Sequence, residues 1–472
     1  MAEKFLVGGE WRTSNETLEV IFPYDGSVSG TVYMATEQDL DDAVIAAQRG
    51  FEITRKLPTY RCVEILRNLH RLFRENFDHM VDLMILESGK NRKTAVGEMS
   101  RACQTVLVAS EEAGRNYGEV LDLDWTEPGL AHRGFVRRYP VGIVLGITPF
   151  NYPINLGCHK LAPAIATGNA VIIKPPEIAP LSSLFMAQLV LEAGFPPEAF
   201  SMLPCPGPRA EKLVTDPRIA MLSFTGSAAV GWMLKSKAGR KRVALELGGN
   251  APAIVHEDAD IKVALQKTVA GSFANAGQNC ISVQRILLHR PIYEDFCDQF
   301  IPAVQTLKMG DPRDAATDIG PLINTRAAER VESWVNEAVA QGATLLLGGK
   351  RSGAMIPATV LAEVTPIMKV CIEEVFAPVV TLSPYETWDD AIQQANASNF
   401  GLQAGVFTND IRRMMDAWER LEVGGVQIND VSTFRVDHMP YGGIKDSGLG
   451  REGVRYTMQE MTEMRQLVIN MG

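Results

Sequence analysis

Cysteine is scarce and scattered in this sequence. The 472 residues include seven cysteines, and no two of them form a CxxC pair. Disulfide frameworks favour an even number of cysteines, and zinc sites favour short paired spacings. We therefore expect neither disulfides nor a zinc site or other metal, and we expect a reducing, cytoplasmic compartment.

Long apolar runs and an excess of positive charge are also missing. No apolar stretch reaches the length that crosses a bilayer, and the opening residues MAEKFLVGGEW lack the apolar core of a signal peptide. The formal net charge of −10 disfavours nucleic acid and anionic membranes as partners. We expect a small-molecule partner instead.

The chain does contain a long alternation of strands and helices. A chain of this length predicts two or three domains. Strand-like and helix-like segments alternate over about 141–257, and a second such set follows to about 429. This pattern is typical of doubly wound parallel sheets in an α/β fold. Residues 118–139 surround a Pro-Gly turn and predict a protruding hairpin.

The stretch GSFANAGQNCISVQR, residues 271–285, presents one cysteine among small residues. Small neighbours leave room for a ligand, and the strand-like segment after Cys280 places the thiol at a loop. A free cysteine is most often a buried structural residue. The residues alone therefore leave two hypotheses open, a structural thiol and a nucleophile that faces a cleft.

Two stretches at strand ends suit a dinucleotide. FTGS at 224–227 lies where a strand passes into a helix, so free backbone N–H groups suit a pyrophosphate, although an ordinary serine cap fits too. IIKPPE at 172–177 offers Lys174 and Glu177 to ribose hydroxyls, with a solvated ion pair as the alternative. The GxGxxG spacing at 448–453 lies too near the C-terminus for a βαβ unit.

Two further polar residues follow apolar strands and suit acyl chemistry. LELGG at 245–249 places Glu246 beside two glycines, where desolvation raises the pKa of a carboxyl group and suits a general base. PFNYP at 149–153 offers Asn151, whose uncharged amide suits an oxyanion hole. A plain turn residue is the alternative for Asn151.

Together, these motifs resemble the aldehyde dehydrogenase superfamily. The stretch VSTFRVDHMPYGG at 431–443, followed by SGLGREGV at 447–454, is most similar to its lactaldehyde dehydrogenase-like branch. The resemblance covers essentially the whole chain and includes GQNC at 277–280 and EEVFAP at 373–378. It implies an aldehyde dehydrogenase fold of the α/β class, with a doubly wound cofactor-binding domain, an α/β catalytic domain and a small oligomerisation element. The implied ranges are 1–117 and 139–247 for the NAD-binding domain, 248–430 for the catalytic domain, 118–138 and 458–472 for the oligomerisation element, and 431–457 for a substrate-entrance loop and return segment.

The resemblance also implies roles for single residues. Cys280 matches the catalytic thiol, Glu246 the general base and Asn151 the side-chain half of the oxyanion hole. The implied cofactor contacts are Lys174 and Glu177 at the adenosine ribose, Ser227 at the pyrophosphate, Glu374 at the nicotinamide ribose and Phe376 beside the nicotinamide. The implied reaction oxidises an aldehyde to a carboxylic acid through a thiohemiacetal and a thioester, with NAD rather than NADP. The presence of Glu246 favours hydrolysis over transfer to CoA, and the three catalytic residues together disfavour a non-enzymatic role.

The substrate is the least determined property. The entrance loop supplies Arg435 and His438, and these residues and Arg101 are candidates for binding a polar or anionic group, with surface or intersubunit salt bridges as the alternative. We expect a short polar aldehyde of the lactaldehyde or glycolaldehyde type. The alternative is an anionic aldehyde such as phosphonoacetaldehyde or succinate semialdehyde, although phosphonoacetaldehyde dehydrogenases carry His and Arg at the positions of Tyr152 and Asn279. The family further implies a homodimer or homotetramer.

Overall fold

The computed structural model describes residues 2–116 and 118–472. Met1 and Tyr117, the two ends of the first predicted range, lie outside the described residues. Among the helices that are described, none is long and apolar enough to cross a membrane.

The first part of the chain forms two antiparallel strand pairs and then four helices. The strands are β1 (Phe5–Val7), β2 (Glu10–Arg12), β3 (Thr17–Ile21) and β4 (Val28–Tyr33), and the helices are α1 (Glu37–Thr54), α2 (Thr59–Glu75), α3 (Phe77–Ser88) and α4 (Arg92–Ala113). Helix α1 begins with a capping box, in which Thr36 and Asp39 each accept a hydrogen bond from the other's backbone N–H. The apolar faces of these helices pack into the first core.

A doubly wound sheet follows a hairpin. Its elements are β5 (Glu119–Asp122), β6 (His132–Pro140), β7 (Ile143–Ile147), α5 (Pro153–Thr167), β8 (Ala170–Lys174), α6 (Leu181–Glu192), β9 (Phe200–Met202), α7 (Gly207–Thr215), β10 (Met221–Thr225), α8 (Ala228–Lys237) and β11 (Arg242–Glu246). The parallel strands run in the order β9-β8-β7-β10-β11, so the winding direction reverses between β7 and β10. Ligands bind at such reversal points, beyond the carboxyl ends of the strands.

The second sheet is built from the following segment. Its elements are β12 (Ala251–Val255), α9 (Ile261–Phe273), β13 (Val283–His289), α10 (Tyr293–Gln305), α11 (Thr325–Ala340), β14 (Thr344–Leu347), β15 (Thr359–Ala362), α12 (Lys369–Ile372), β16 (Val379–Tyr385), α13 (Trp388–Asn396), β17 (Phe400–Gly401), β18 (Gln403–Phe407), α14 (Ile411–Arg420) and β19 (Gly425–Ile428). The strand order is β14-β15-β16-β13-β12-β18-β19, with only β14 antiparallel. The predicted α/β fold class, with two such sheets, is confirmed.

The last segment returns to the earlier parts of the chain. Its elements are β20 (Ile444–Lys445), β21 (Gly448–Leu449), α15 (Val454–Glu460) and β22 (Thr462–Asn470). Strand β21 joins the edge of the first sheet beside β11, and β20 pairs with β17. Strand β22 pairs with β6 along its whole length, and β5 lies on the other side of β6. The predicted hairpin and strand-like tail therefore form one three-stranded sheet.

Candidate active site

A cleft of about 860 Å³ opens at the carboxyl ends of the first sheet. The last residues of β7, β8, β10 and β11 line it, and Cys280, Glu374 and Phe376 approach it from the second part of the chain. The cleft lies at the reversal point between β7 and β10, where doubly wound sheets bind ligands. Residues far apart in the sequence therefore meet in one site.

Cys280 is held at this cleft by a tight turn. Asn275 and Ala276 adopt left-handed backbone conformations just before it, and Gly277 has a φ of +69°. A Cβ atom on Gly277 would lie 2.0 Å from the carbonyl oxygen of Ala377, so only glycine fits there. The Sγ atom of Cys280 lies 3.1 Å from the hydroxyl oxygen of Tyr441.

Burial raises the pKa of the Cys280 thiol to about 11. The thiolate is the nucleophilic form, so the proton of the neutral thiol must pass to a base when the thiol attacks. Glu246 lines the same cleft and is one carboxylate that can act as this base.

Glu246 is the last residue of β11 and is almost fully buried. Within the described part of the chain, its Oε2 atom has no hydrogen-bond partner. Burial, reinforced by the neighbouring Glu452 carboxylate, raises the pKa of Glu246 well above its ordinary value. An unpartnered carboxyl group with a raised pKa is suited to take up and release a proton.

Asn151 lies in the turn between β7 and α5, on the cleft wall with Cys280 and Glu246. Its side-chain Nδ2 donates a hydrogen bond to the carbonyl oxygen of Gln278 at 3.1 Å. This bond ties the amide to the turn that carries Cys280, and the second N–H of the same amide group is left to face a ligand. A fixed, uncharged donor beside the thiol is what an oxyanion hole requires.

A buried ion pair supports the segment after Asn151. Lys90 pairs with Glu98, and Glu98 also accepts hydrogen bonds from the backbone N–H groups of Ile154 and Asn155 at 2.9 and 3.1 Å. The Lys90 ammonium lies 4.1 Å from the centroid of the Tyr152 ring. The start of α5 is therefore held by a carboxylate, which satisfies N–H groups that lack partners in the first helical turn. No sequence pattern indicated this pair.

Lys174, Glu177 and Ser227 all line the cleft. Lys174 ends β8 and is buried, which lowers the pKa of its ammonium group. Ser227 precedes α8, and within the described chain its hydroxyl does not cap that helix, so it is left for a ligand. A cation, a carboxylate and a helix start in one groove fit the adenosine ribose and pyrophosphate of a dinucleotide.

Glu374 and Phe376 also line the cleft, near Cys280. Glu374 Oε1 accepts a hydrogen bond from the backbone N–H of Gly249 at 3.1 Å, while burial raises the pKa of Glu374 to about 7. Phe376 has a φ of +53°, and its ring meets that of Phe150 edge to face at 6.0 Å between centroids. A second carboxylate beside an aromatic ring fits the nicotinamide riboside half of the same dinucleotide.

Comparison with known proteins agrees with this geometry. Residues 11–467 match the model of the aldehyde dehydrogenase family. The chain belongs to the aldehyde dehydrogenase family. It is 44% identical over 467 residues to 3-sulfolactaldehyde dehydrogenase of Priestia megaterium, covering 98% of this chain and 97% of that protein. It is 38% identical over 469 residues to lactaldehyde dehydrogenase of Methanocaldococcus jannaschii, covering 98% and 99%.

A solved structure is similar over the full length. Aldehyde dehydrogenase 21 of Physcomitrella patens, in complex with the reaction product succinate, has a TM-score of 0.98 and 38% sequence identity, over 100% of this chain and 98% of that one. Other solved members of the family hold NAD or NADP. The protein is therefore an aldehyde dehydrogenase that oxidises aldehydes with a nicotinamide cofactor, and the predicted likeness to lactaldehyde dehydrogenases is confirmed.

In this aldehyde dehydrogenase, the three predicted substrate residues do not line the cleft described above. The Arg435 side chain is only 4% exposed, and its guanidinium donates to the Glu452 carboxylate at 3.0 Å. Arg101 forms two hydrogen bonds with Asp437, of 2.7 and 3.2 Å, and His438 is exposed. Their part in substrate binding stays a prediction, and for both arginines the structure provides protein carboxylates as partners.

Arg435 nevertheless reaches the catalytic thiol through one neighbour. Its guanidinium lies 3.6 Å from the centroid of the Tyr441 ring, and the Tyr441 hydroxyl contacts Cys280. The Lys160 ammonium donates to Thr225 at 2.7 Å and lies 3.3 Å from Glu452, so Glu452 binds two cations. Tyr441 and Glu452 are site residues that sequence reasoning missed, although both lie in the glycine-rich return segment.

Asp437 is a third residue of this aldehyde dehydrogenase that sequence reasoning missed. Besides Arg101, its carboxylate contacts His159 Nε2 at 2.8 Å and the side-chain amide of Asn155 at 3.2 Å. Burial opposes its charge, but the hydrogen bond with His159 and the charge of Arg101 outweigh burial and hold the pKa of Asp437 below its usual range. The carboxylate ties the entrance loop to α4 and α5, beside the catalytic turn.

The buried position of Arg435 leads to a specific prediction for Arg435→Ala. We expect kcat/KM to fall about tenfold or more for propanal and for lactaldehyde alike, because hydrogen bonds to charged groups contribute about 1.5–3 kcal/mol and Tyr441 loses its support. Steady-state kinetics with both aldehydes measures this, and the exposed Arg49→Ala serves as control. A rise in KM for lactaldehyde alone would instead support direct contact between Arg435 and the substrate.

Proposed function

We propose that this aldehyde dehydrogenase oxidises a short polar aldehyde, of the lactaldehyde or glycolaldehyde type, to the carboxylic acid and prefers NAD to NADP. The observation that carries the proposal is that Cys280, Asn151 and Glu246 face one cleft that also contains two carboxylates suited to ribose hydroxyls. A thiol, an amide donor and a base in one cleft suit acyl chemistry.

The proposed mechanism assigns one task to each residue. The Cys280 thiol transfers its proton to a base and attacks the aldehyde carbon, which forms a thiohemiacetal, while Asn151 Nδ2 and the backbone N–H of Cys280 stabilise the negative oxygen. Lys174, Glu177, Ser227 and Glu374 would hold the nicotinamide cofactor, which would supply the two-electron oxidant needed between the thiohemiacetal and the thioester. Glu246 then removes a proton from water as the water attacks the thioester. This attack cleaves the thioester and releases the carboxylic acid and the free thiol.

The choice of substrate is supported by the relatives. Two of them act on lactaldehyde or on 3-sulfolactaldehyde, both of which carry a hydroxyl group beside the aldehyde carbon. The alternative is an anionic aldehyde, such as succinate semialdehyde or phosphonoacetaldehyde. The sulfonate of 3-sulfolactaldehyde and the succinate bound to the solved relative favour this alternative.

A panel of short aldehydes tests the proposal. We would measure kcat/KM with propanal, lactaldehyde, glycolaldehyde, 3-sulfolactaldehyde, succinate semialdehyde and phosphonoacetaldehyde, each with NAD and with NADP. The proposal expects the highest value for a neutral hydroxylated aldehyde with NAD. A preference of tenfold or more for an anionic aldehyde would replace it with the alternative, and the absence of NADH formation with every aldehyde would contradict both.

The cofactor preference has its own test. Glu177 is half-buried on the cleft wall, and a carboxylate that faces the adenosine ribose repels a 2′-phosphate by about 1–3 kcal/mol where solvent is partly excluded. We therefore expect Glu177→Ser to narrow the ratio of kcat/KM for NAD over NADP by about tenfold or more. The exposed Glu192→Ser is the matched control. An unchanged ratio in Glu177→Ser would assign the preference to another residue.

We also propose that the protein is a cytoplasmic homodimer or homotetramer. The sheet of β5, β6 and β22 supports the oligomeric state, because it exposes apolar side chains that soluble monomers rarely group together. The large apolar side chains exposed there are Val120, Phe135, Met464, Leu467, Val468 and Ile469. The predicted ranges 118–138 and 458–472 contain these residues and keep their proposed role in oligomerisation. The last parallel strand of the first sheet, β11, ends at Glu246, and β12 of the second sheet begins at Ala251. These bounds support the proposed domain boundary at 247/248.

A further inference from the structure

A cluster of two histidines and a glutamate lies far from the catalytic thiol. His256 and Glu257 directly follow β12, and His289 is the last residue of β13. One ligand atom from each of the three residues lies within 4.8 Å of the other two. Cys280 precedes β13 and the cluster is at its far end, so a strand of about 20 Å separates the two.

The hydrogen bonds around His256 determine which nitrogen carries its proton. The Tyr385 hydroxyl donates to the carbonyl oxygen of Val255 at 3.3 Å, and His256 Nδ1 lies 3.0 Å from the same hydroxyl. Because the hydroxyl proton is engaged by Val255, the Tyr385 oxygen accepts from His256 Nδ1–H. The lone pair of the neutral ring is therefore on Nε2.

That lone pair is buried and has nothing to bind. His256 is only 3% exposed, and in the part of the chain that the structure describes its Nε2 atom has no hydrogen-bond partner. A buried polar atom without a partner is costly and rare. A neutral imidazole with a free lone pair is the form that binds a metal ion.

His289 and Glu257 complete the arrangement. Among the described residues, His289 Nδ1 has no hydrogen-bond partner, and it lies 3.6 Å from Glu257 Oε2. The centroids of the two histidine rings are 4.3 Å apart. Glu257 is about half exposed, so its carboxylate is free to move over the two ring nitrogens.

The nearby charges are compatible with a cation. Arg413 is the cation that acts on His256, and its guanidinium lies 3.5 Å from Asp258 Oδ2 and 3.3 Å from Asp410 Oδ2. These carboxylates offset the charge of Arg413. The carboxylate of Glu257 then gives the cluster a net negative charge, which favours a divalent ion over the empty site.

We propose that His256 Nε2, His289 Nδ1 and the Glu257 carboxylate form a binding site for a divalent transition-metal ion of the zinc class. Imidazole and carboxylate ligands suit zinc, and two histidines with one carboxylate leave a fourth position for water. Tyr385 orients His256 as outer hydrogen-bond partners of metal-bound histidines do. The ion connects the ends of β12 and β13 and stabilises the second sheet without contacting the reacting groups.

Zinc binding by the full-length protein tests this site. The chain is treated with a chelator, mixed with equimolar Zn²⁺ and passed through a gel-filtration column, and its metal content is then measured. The same measurement is made on Cys280→Ser, because this variant lacks the catalytic thiol and cannot hold zinc there. We expect one zinc ion per chain in Cys280→Ser, together with a rise in Tm when zinc is added, because a ligand that binds only the folded state stabilises it.

Substitutions of the three proposed zinc ligands test whether zinc binds at this site. In the Cys280→Ser background, we expect His256→Gln, His289→Gln and Glu257→Gln each to weaken zinc affinity at least tenfold and to reduce the rise in Tm, whereas the exposed His79→Gln does neither. Glu257 is a surface residue, so its variant tests the site even where His256→Gln fails to fold. Unchanged affinity in Glu257→Gln and His289→Gln, or no zinc retained by Cys280→Ser, would overturn the proposal.

Discussion

Cys280→Ala is expected to abolish aldehyde oxidation while leaving cofactor binding intact. The thiol is the proposed nucleophile, so its removal should lower kcat on the order of 10³-fold or more. Lys174 and Glu177 also line the cleft, and the substitution leaves both side chains in place, so their contacts with the cofactor should survive. NADH formation measures the first effect, and titration of cofactor fluorescence measures the second.

A matched cysteine provides the control. Cys297 on α10 is also free and half-buried, but it lies outside the cleft. Cys297→Ala should therefore keep the activity of the unaltered protein. Substantial turnover in Cys280→Ala would contradict the proposed mechanism, and a loss of cofactor binding in that variant would assign the thiol a structural role.

Glu246→Gln is expected to separate the two halves of the reaction. Acylation of Cys280 should continue when another base accepts the thiol proton, whereas hydrolysis of the thioester should stop, because glutamine cannot remove a proton from water. We expect about one NADH per active site in a rapid burst, followed by very slow turnover. Stopped-flow absorbance measures the burst, and mass spectrometry of the intact protein detects the acyl-enzyme.

The pH dependence of the unaltered protein provides a second measure of the same residue. A general base works only when it is deprotonated, and the pKa of Glu246 is raised. The rate of thioester hydrolysis should therefore rise as the pH rises through that pKa, and the rise should be absent in Glu246→Gln. The exposed Glu419→Gln should show the normal profile. If the burst itself is missing in Glu246→Gln, then Glu246 is the base that activates the thiol.

Apolar strands and local motifs made much of the fold predictable. The strands β7, β8 and β10 are fully buried, mostly apolar runs that alternate with helices. This pattern can be recognised in one sequence without any relatives. The residues that follow such strands meet at one edge of a parallel sheet. For this reason Asn151 and Lys174, which local motifs singled out, line the same cleft.

Contacts between distant segments were not predictable. Tyr441 reaches Cys280 across 161 positions, and Asp437 reaches His159 across 278, and neither distance leaves a local pattern. Arg435 is an example of a residue whose position depends on such distant contacts. In a glycine-rich loop it resembled an exposed cation, but Glu452 and the Tyr441 ring draw its side chain into the interior. The local sequence shows that Arg435 is charged, whereas the position of Glu452 determines that this charge is buried.

The pairing of β22 with β6 determines when this part of the protein can fold during synthesis. It pairs with β6 over nine residues, and Arg138 and Thr462 in this contact are 324 positions apart. Domains fold as they emerge from the ribosome, but a pair this distant cannot form until β22 has been synthesised. The hairpin of β5 and β6 therefore leaves the exit tunnel with an open edge, and that edge stays open while more than 300 further residues are added. Any association of subunits through this sheet must follow the pairing of β22, and the open edge in the nascent chain is where a chaperone would be needed.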